Sequence, residues 1–155
     1  DPEMSRGLGD VYKRQVLDLA GFFEDIYKKQ VEELEQLGIA HFYGFQSDPR
    51  PFYAEADCVV LPSYHEGMSN VLLEAAATGR PVITSNIPGC RESVENGKSG
   101  LLVEVKNKEM LYQAMKKMLH CSREEREKMG KAGREKMKRE FRKEAVVERT
   151  VRSLE

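Results

Sequence analysis

The chain has 155 residues, with 25 Lys and Arg against 26 Asp and Glu, so a net charge of −1 excludes long-range attraction to nucleic acid. A composition of 40% hydrophobic and 33% charged residues suits one ordinary core beneath a well-solvated surface. Three scattered cysteines without CxxC or Cys/His spacing suggest neither a disulfide framework nor a zinc site; with no signal peptide and no bilayer-length apolar run, they point to the cytoplasm and leave its membrane face open as a place of work.

Residues 1–15, DPEMSRGLGDVYKRQ, show neither helical nor strand period and are set apart as a non-native scar or disordered lead. Residues 16–155 are read as one domain, from which the upstream edge of the natural chain is missing. From Val16 a βα rhythm begins. VLDLAGF (16–22) reads as a strand, and EDIYKKQVEELEQLG as a helix with Ile26, Val31, Leu34 and Leu37 on one face and Gly38 as its stop. IAHFYGF (39–45) reads as the next strand, and PRPFYAEAD as a helix of one or two turns that tolerates Pro51 at its start.

CVVLP (58–62) has no polar alternation, the pattern of a strand buried on both faces of a parallel sheet. The VLLEAAATG helix, the strand RPVITS, a loop with a short helix in NIPGCRESVENGKSG, and a last strand LLVEV follow. NKEMLYQAMKKMLH reads as a helix capped by Asn107, with Met110, Leu111, Ala114 and Met118 covering the sheet. A charged helix from Ser122 to Glu144, striped by Met129, Met137 and Phe141, closes the domain. Its interleaved acids favour a solvated docked helix over a membrane or nucleic-acid element. The fold class is α/β: a Rossmann-like, doubly wound and mostly parallel sheet, incomplete at its N-terminal edge.

In such a sheet ligands bind beyond the carboxyl ends of the strands, which places Ser63 to Asn70 at a site. Ser69 or Asn70 can cap the helix that follows, and its first N–H groups with the positive end of the dipole make a seat for a diphosphate. Gly67 allows close approach of a ligand to the backbone. Glu74 lies one turn beyond Asn70, and a carboxylate can accept both hydroxyls of a ribose diol; Glu66 faces the other end of the same ligand. Two glutamates at this spacing also arise by accident, and Glu74 can equally serve as a residue that favours the helix dipole.

The run LPSYHEGMSNVLLEAAATGRPVITSNIPGCRE, followed by MGKAGR, resembles the signature region in the C-terminal half of retaining glycosyltransferases of the two-Rossmann-domain (GT-B) architecture. Within these it is most similar to family 4, the enzymes of bacterial capsule, exopolysaccharide and lipid-linked glycan synthesis. The resemblance implies that Glu66 contacts the donor sugar at the catalytic centre and Glu74 the nucleotide ribose. Gly67, Met68, Ser69, Asn70 and Val71 would bind the diphosphate, and Phe45 and Gln46 the nucleobase.

It also implies transfer with retention from a nucleotide sugar, UDP-hexose or UDP-N-acetylhexosamine, without a metal or other cofactor. The acceptor would be a glycan or polyprenyl-linked glycan, held through an N-terminal domain not represented here, with peripheral membrane association of the whole enzyme. The family's Arg and Lys on the diphosphate would precede Val16, and Lys13 and Arg14 are not assigned that role. The fragment alone is therefore expected to be inactive and to bind nucleotide weakly.

His65 and Arg91 stand near enough in sequence to touch a donor, with a plain surface role as the alternative; His41 and His120 read as structural, and Cys58 and Cys90 as small buried residues. Two other functions stay open: a non-catalytic nucleotide-sugar-binding module, and a glycoside hydrolase using the two glutamates. A dinucleotide oxidoreductase is disfavoured because no G-x-G-x-x-G follows a first strand.

Overall fold

The computed structural model describes residues 16–21, 27–63 and 70–141. The chain divides into two compact units, Asp1–Asp48 and Pro49–Glu155.

In the first unit, strand β1 (Leu17–Ala20) pairs in parallel with β2 (Ala40–Gly44), and helix α1 (Lys28–Gln36) lies between them in sequence. A parallel pair cannot be closed by a tight hairpin, so the helix is the crossover that the pairing needs. Gly38 ends α1 as expected: at φ 72° it lets its own N–H reach the Glu35 carbonyl and that of Ile39 reach Leu34, a Schellman closure. Of the apolar face expected on α1, Val31 and Leu34 are half-buried, Ile26 lies outside the described residues, and Leu37 is 64% exposed. Leu37 has already left the helix and follows its closing turn instead of its face. His41 sits opposite Asp18 in register, with Nδ1 3.6 Å from the carboxylate, which agrees with a structural role.

The second unit holds a three-stranded parallel sheet in the order β3 (Val59–Leu61), β4 (Val82–Ser85), β5 (Gly100–Val103). Helices α2 (Arg50–Glu55), α3 (Asn70–Ala77), α4 (Lys108–His120) and α5 (Arg123–Glu140) surround it, with a 3₁₀ turn at Arg91–Ser93. Successive residues of β4 feed opposite faces: Val82 packs with Tyr53, Leu72, Ala75, Cys90 and Val94, whereas Ile83 packs with Leu101, Val103, Ala114 and Met118. The sheet is therefore covered on both sides, as the doubly wound reading requires.

Burial on both faces, expected of the CVVLP strand, belongs instead to β4, where all four residues are buried. All three residues of β3 are half-buried because β3 is an outer member of this sheet and β4 the middle one. Asn107 caps α4 by accepting the Met110 N–H at 2.9 Å, as the sequence predicts. Met110 itself is exposed, and Ala114 and Met118 cover the sheet. Helix α5 starts from a full capping box: the Ser122 hydroxyl accepts from Glu125 N–H while the Glu125 carboxylate accepts from Ser122 N–H. Met137 is buried and Met129 and Phe141 half-buried; residues 142–144 of the expected helix lie outside the described residues.

Helix α5 meets the segments that lead into the three strands of this sheet in turn. The buried Arg126 lies 4.0 Å from Asp57, just before β3, and donates to the Cys121 carbonyl at 2.6 Å. Gly130 packs on Gly79 before β4, and Gly133 packs on Ser99 before β5. Positions 126, 130 and 133 share one helical face, so the helix is seated by one large cation and two residues without side chains.

Candidate functional site

The site is built where β3 hands over to α3. Helix α3 begins at Asn70. Glu66, Gly67, Met68 and Ser69, with His65, lie outside the described residues, so the first carboxylate and most of the turn expected to seat a diphosphate have no described geometry. Asn70 and Val71 occupy the exposed first turn of α3, while the next residue, Leu72, is fully buried and anchors that turn to the core.

Glu74 follows one turn later with its side chain on the exposed side of α3. Its carboxylate Oε2 accepts a hydrogen bond from the Tyr53 hydroxyl at 3.2 Å. Tyr53 comes from α2 and is only 3% exposed, with its ring inside the cluster that includes Leu72 and Ala75 of α3. The same contact thus joins a core aromatic to the exposed acid that the sequence singles out.

The helix that carries Glu74 is closed with equal definition. Gly79, at φ 84°, donates to the Ala76 carbonyl, and Arg80 N–H reaches back to Ala75, a second Schellman closure. From that turn the Arg80 side chain extends to the end of α2, where Nε donates to the Tyr53 carbonyl at 2.8 Å and Nη2 to the Ala54 carbonyl at 2.6 Å. Arg80 thereby satisfies carbonyls that the short helix leaves over at its end. Thr84 on β4 donates its hydroxyl to the Leu61 carbonyl at 2.8 Å, which fixes β3 where it enters the site.

Phe45 and Gln46 belong to the first unit, directly after β2. Phe45 is 66% exposed, and the Gln46 amide donates to the Tyr43 carbonyl at 2.8 Å. Arg91 is exposed at the start of the 3₁₀ turn, while its neighbour Glu92 folds back to accept the Gly89 N–H at 2.8 Å and so stabilises the PGCRE turn. Cys90 is fully buried, as expected. Cys58 is only half-buried as a residue, because its strand lies on the outside of the three-stranded sheet. Burial, with the Asp57 charge beside it, nonetheless pushes its thiol up to about 12.

Tyr53 and Arg80 are the site-building residues that sequence reading does not single out. Tyr53 sits in a helix of six residues, too short to show a period, and meets Glu74 across 21 positions; Arg80 lies in the TGRPVI run, where it reads as part of a turn. Among the described residues, no group of three His, Cys, Asp or Glu side chains is placed to hold a metal.

In each unit parallel strands are joined through helices, a Rossmann-like α/β arrangement. Residues 10–136 match the family described as Glycosyl transferases group 1, and the chain belongs to that family. It is 31% identical over 124 residues to the lipopolysaccharide core biosynthesis glycosyltransferase LpsE of Rhizobium meliloti, covering 80% of this chain and 36% of that one. Among solved structures, it is similar to sucrose-phosphate synthase from Thermosynechococcus elongatus, with a TM-score of 0.74, 28% identity, and coverage of 89% of this chain and 38% of the other. Anabaena HepE in complex with UDP shares the fold with a TM-score of 0.74 at 21% identity, over 91% of this chain and 41% of that one. The chain spans little more than a third of the length of LpsE.

Proposed function

We propose that this chain is the donor-binding half of a retaining glycosyltransferase, which seats a nucleotide sugar on the turn before α3. In this reading Glu74 receives the ribose hydroxyls, and the backbone of Gly67, Met68, Ser69, Asn70 and Val71 receives the diphosphate. Glu66 contacts the donor sugar, and Phe45 and Gln46 hold the nucleobase. The observation that carries the reading is the exposed Glu74 carboxylate, one turn into α3, held by the hydroxyl of a buried tyrosine. A carboxylate spent only on the helix dipole has no need of such a partner.

The chemistry follows from those parts. A helix start with its dipole stabilises negative charge on the departing diphosphate, and two carboxylates fix nucleoside and sugar on either side of it. Positioning and charge stabilisation then supply the catalysis, with no metal or other cofactor, and the leaving phosphate helps to take the proton of the acceptor. UDP-hexose or UDP-N-acetylhexosamine is the proposed donor, supported by the UDP bound in HepE, which shares the fold. The acceptor is a glycan or a lipid-linked glycan at the cytoplasmic membrane face, supported by the lipopolysaccharide role named for LpsE. In this reading any membrane association of the whole enzyme is peripheral; no helix among the described residues is long and apolar enough to cross a membrane.

Calorimetric titration of UDP, GDP, ADP and free hexose into the chain tests the proposal. UDP is expected to bind best, and Glu74→Ala to weaken it about tenfold or more, as loss of hydrogen bonds to a charged group does. Binding of hexose without any nucleotide would turn the reading towards a glycosidase; nucleotide binding indifferent to Glu74 would remove the ribose role.

A further inference from the structure

The Tyr53–Glu74 contact asks why a tyrosine, and not a phenylalanine, fills this part of the core. The ring alone would satisfy the packing with Leu72, Ala75, Val82, Cys90 and Val94. A buried phenol brings a polar atom that must find a partner, and here the partner is an exposed carboxylate on another helix. An exposed glutamate has three rotatable bonds and would otherwise sample several positions. The hydroxyl takes up one lone-pair site, on Oε2, and leaves the carboxylate with acceptor sites for two further donors.

The anchor is itself anchored. Arg80 holds the carbonyls of Tyr53 and Ala54 from the turn that closes α3, the helix bearing Glu74. Tyrosine, arginine and glutamate therefore form a closed frame across α2, α3 and the turn into β4. Its most exposed corner is the carboxylate.

From this geometry we infer that Tyr53 is a positioning residue, which presets the Glu74 carboxylate to accept a vicinal diol and so sets the preference of the site for a ribonucleotide. The inference rests on the reading above, in which Glu74 receives the ribose. Tyr53 makes no contact with the nucleotide in this scheme and acts only through Glu74.

The test is titration of UDP and of its 2′,3′-dideoxy analogue into the chain and into Tyr53→Phe, Glu74→Ala and the double variant. Tyr53→Phe keeps the ring in the core, and its melting curve checks the fold. The expected result is a loss of about three- to tenfold in UDP affinity in Tyr53→Phe, the scale of one hydrogen bond, with affinity for the dideoxy analogue unchanged. In the Glu74→Ala background, which leaves the Tyr53 hydroxyl no acceptor at position 74, Tyr53→Phe is expected to have no further effect on UDP. Equal weakening of both nucleotides would mean that the hydroxyl supports the fold and not the diol, and would overturn the inference; so would unchanged UDP affinity. If the unaltered chain fails to distinguish UDP from its dideoxy analogue, or binds neither, the ribose role of Glu74 falls first and the inference falls with it.

Discussion

Gly130 on α5 lies so close to Gly79 that a Cβ at position 130 would be driven into the Gly79 carbonyl, 2.7 Å from its carbon. The obstacle is backbone, which cannot swing aside as a side chain would. Gly130→Ala is expected to cost about 1–3 kcal/mol or more, in spite of the better helix propensity of alanine. Gly133→Ala is the contrasting case, because its Cβ would meet Ser99 at an ordinary 3.5 Å. That variant is expected to be neutral or up to about 1 kcal/mol more stable. Urea denaturation of the two variants side by side checks the pair, and a similar response from both would refute the close approach.

Arg80 secures α2 through two carbonyls, reached from Nε and Nη2 of one guanidinium. Arg80→Lys keeps the charge but offers a point donor on a flexible stem, so it is not expected to restore both bonds. A loss of about 1–2 kcal/mol is expected for Lys and for Met alike, after discounting for partial exposure. Should Lys match the parent chain in chemical denaturation, the fork geometry does not matter here.

The Cys58 thiol holds its proton up to about 12 in the folded chain, against 9.0 ordinarily. Above pH 9 the unfolded chain therefore releases a proton that the folded chain keeps, and stability must fall as pH rises through that window. The slope from this group approaches about 1.4 kcal/mol per pH unit. Below pH 9 both states are protonated and the effect vanishes. Denaturation curves from pH 7 to pH 10.5 (roughly the lower half of the window) are expected to show a shallower alkaline decline in Cys58→Ala. The same enclosure predicts slow alkylation of Cys58 at pH 8 until the chain is unfolded.

Ser122→Ala removes the hydroxyl that accepts the Glu125 N–H at the start of α5, while the reciprocal bond from the Ser122 N–H to the Glu125 carboxylate keeps its donor. A loss of about 1 kcal/mol is expected, and Ser122→Asp should recover most of it. Thermal unfolding of the two variants checks the order; a fully stable alanine variant would show that the hydroxyl cap contributes nothing.

What the sequence discloses about this fold is mostly local. The alternation of short apolar runs with helical periods, the Gly38 stop and the Asn107 cap each depend on a few neighbouring residues, and each appears in the structure where it was expected. Which strand is buried on both faces depends on who lies beside whom in the sheet, and so CVVLP, with the most uniformly apolar sequence, turned out to be an outer strand. The seat of α5 was invisible for a different reason: glycines at 130 and 133 have no hydrophobicity to register, and a buried arginine at 126 reads as surface. Of the site, Glu74 could be singled out from its place past the start of a helix. The tyrosine that holds it could not, because nothing near Tyr53 announces a partner 21 residues away.

The seating of α5 has a consequence for the order in which the molecule can be made. Asp57, Gly79 and Ser99 are met by α5 at positions 126, 130 and 133, late in the chain. During synthesis the three strands of the second unit therefore leave the ribosome before the helix that will lock their leading segments together. Until then the sheet depends on its own pairings and on the earlier helices, and its growing form is open to misassembly. A chain stopped at residue 121 would be held in that unfinished condition, with its strands made and their common brace never delivered.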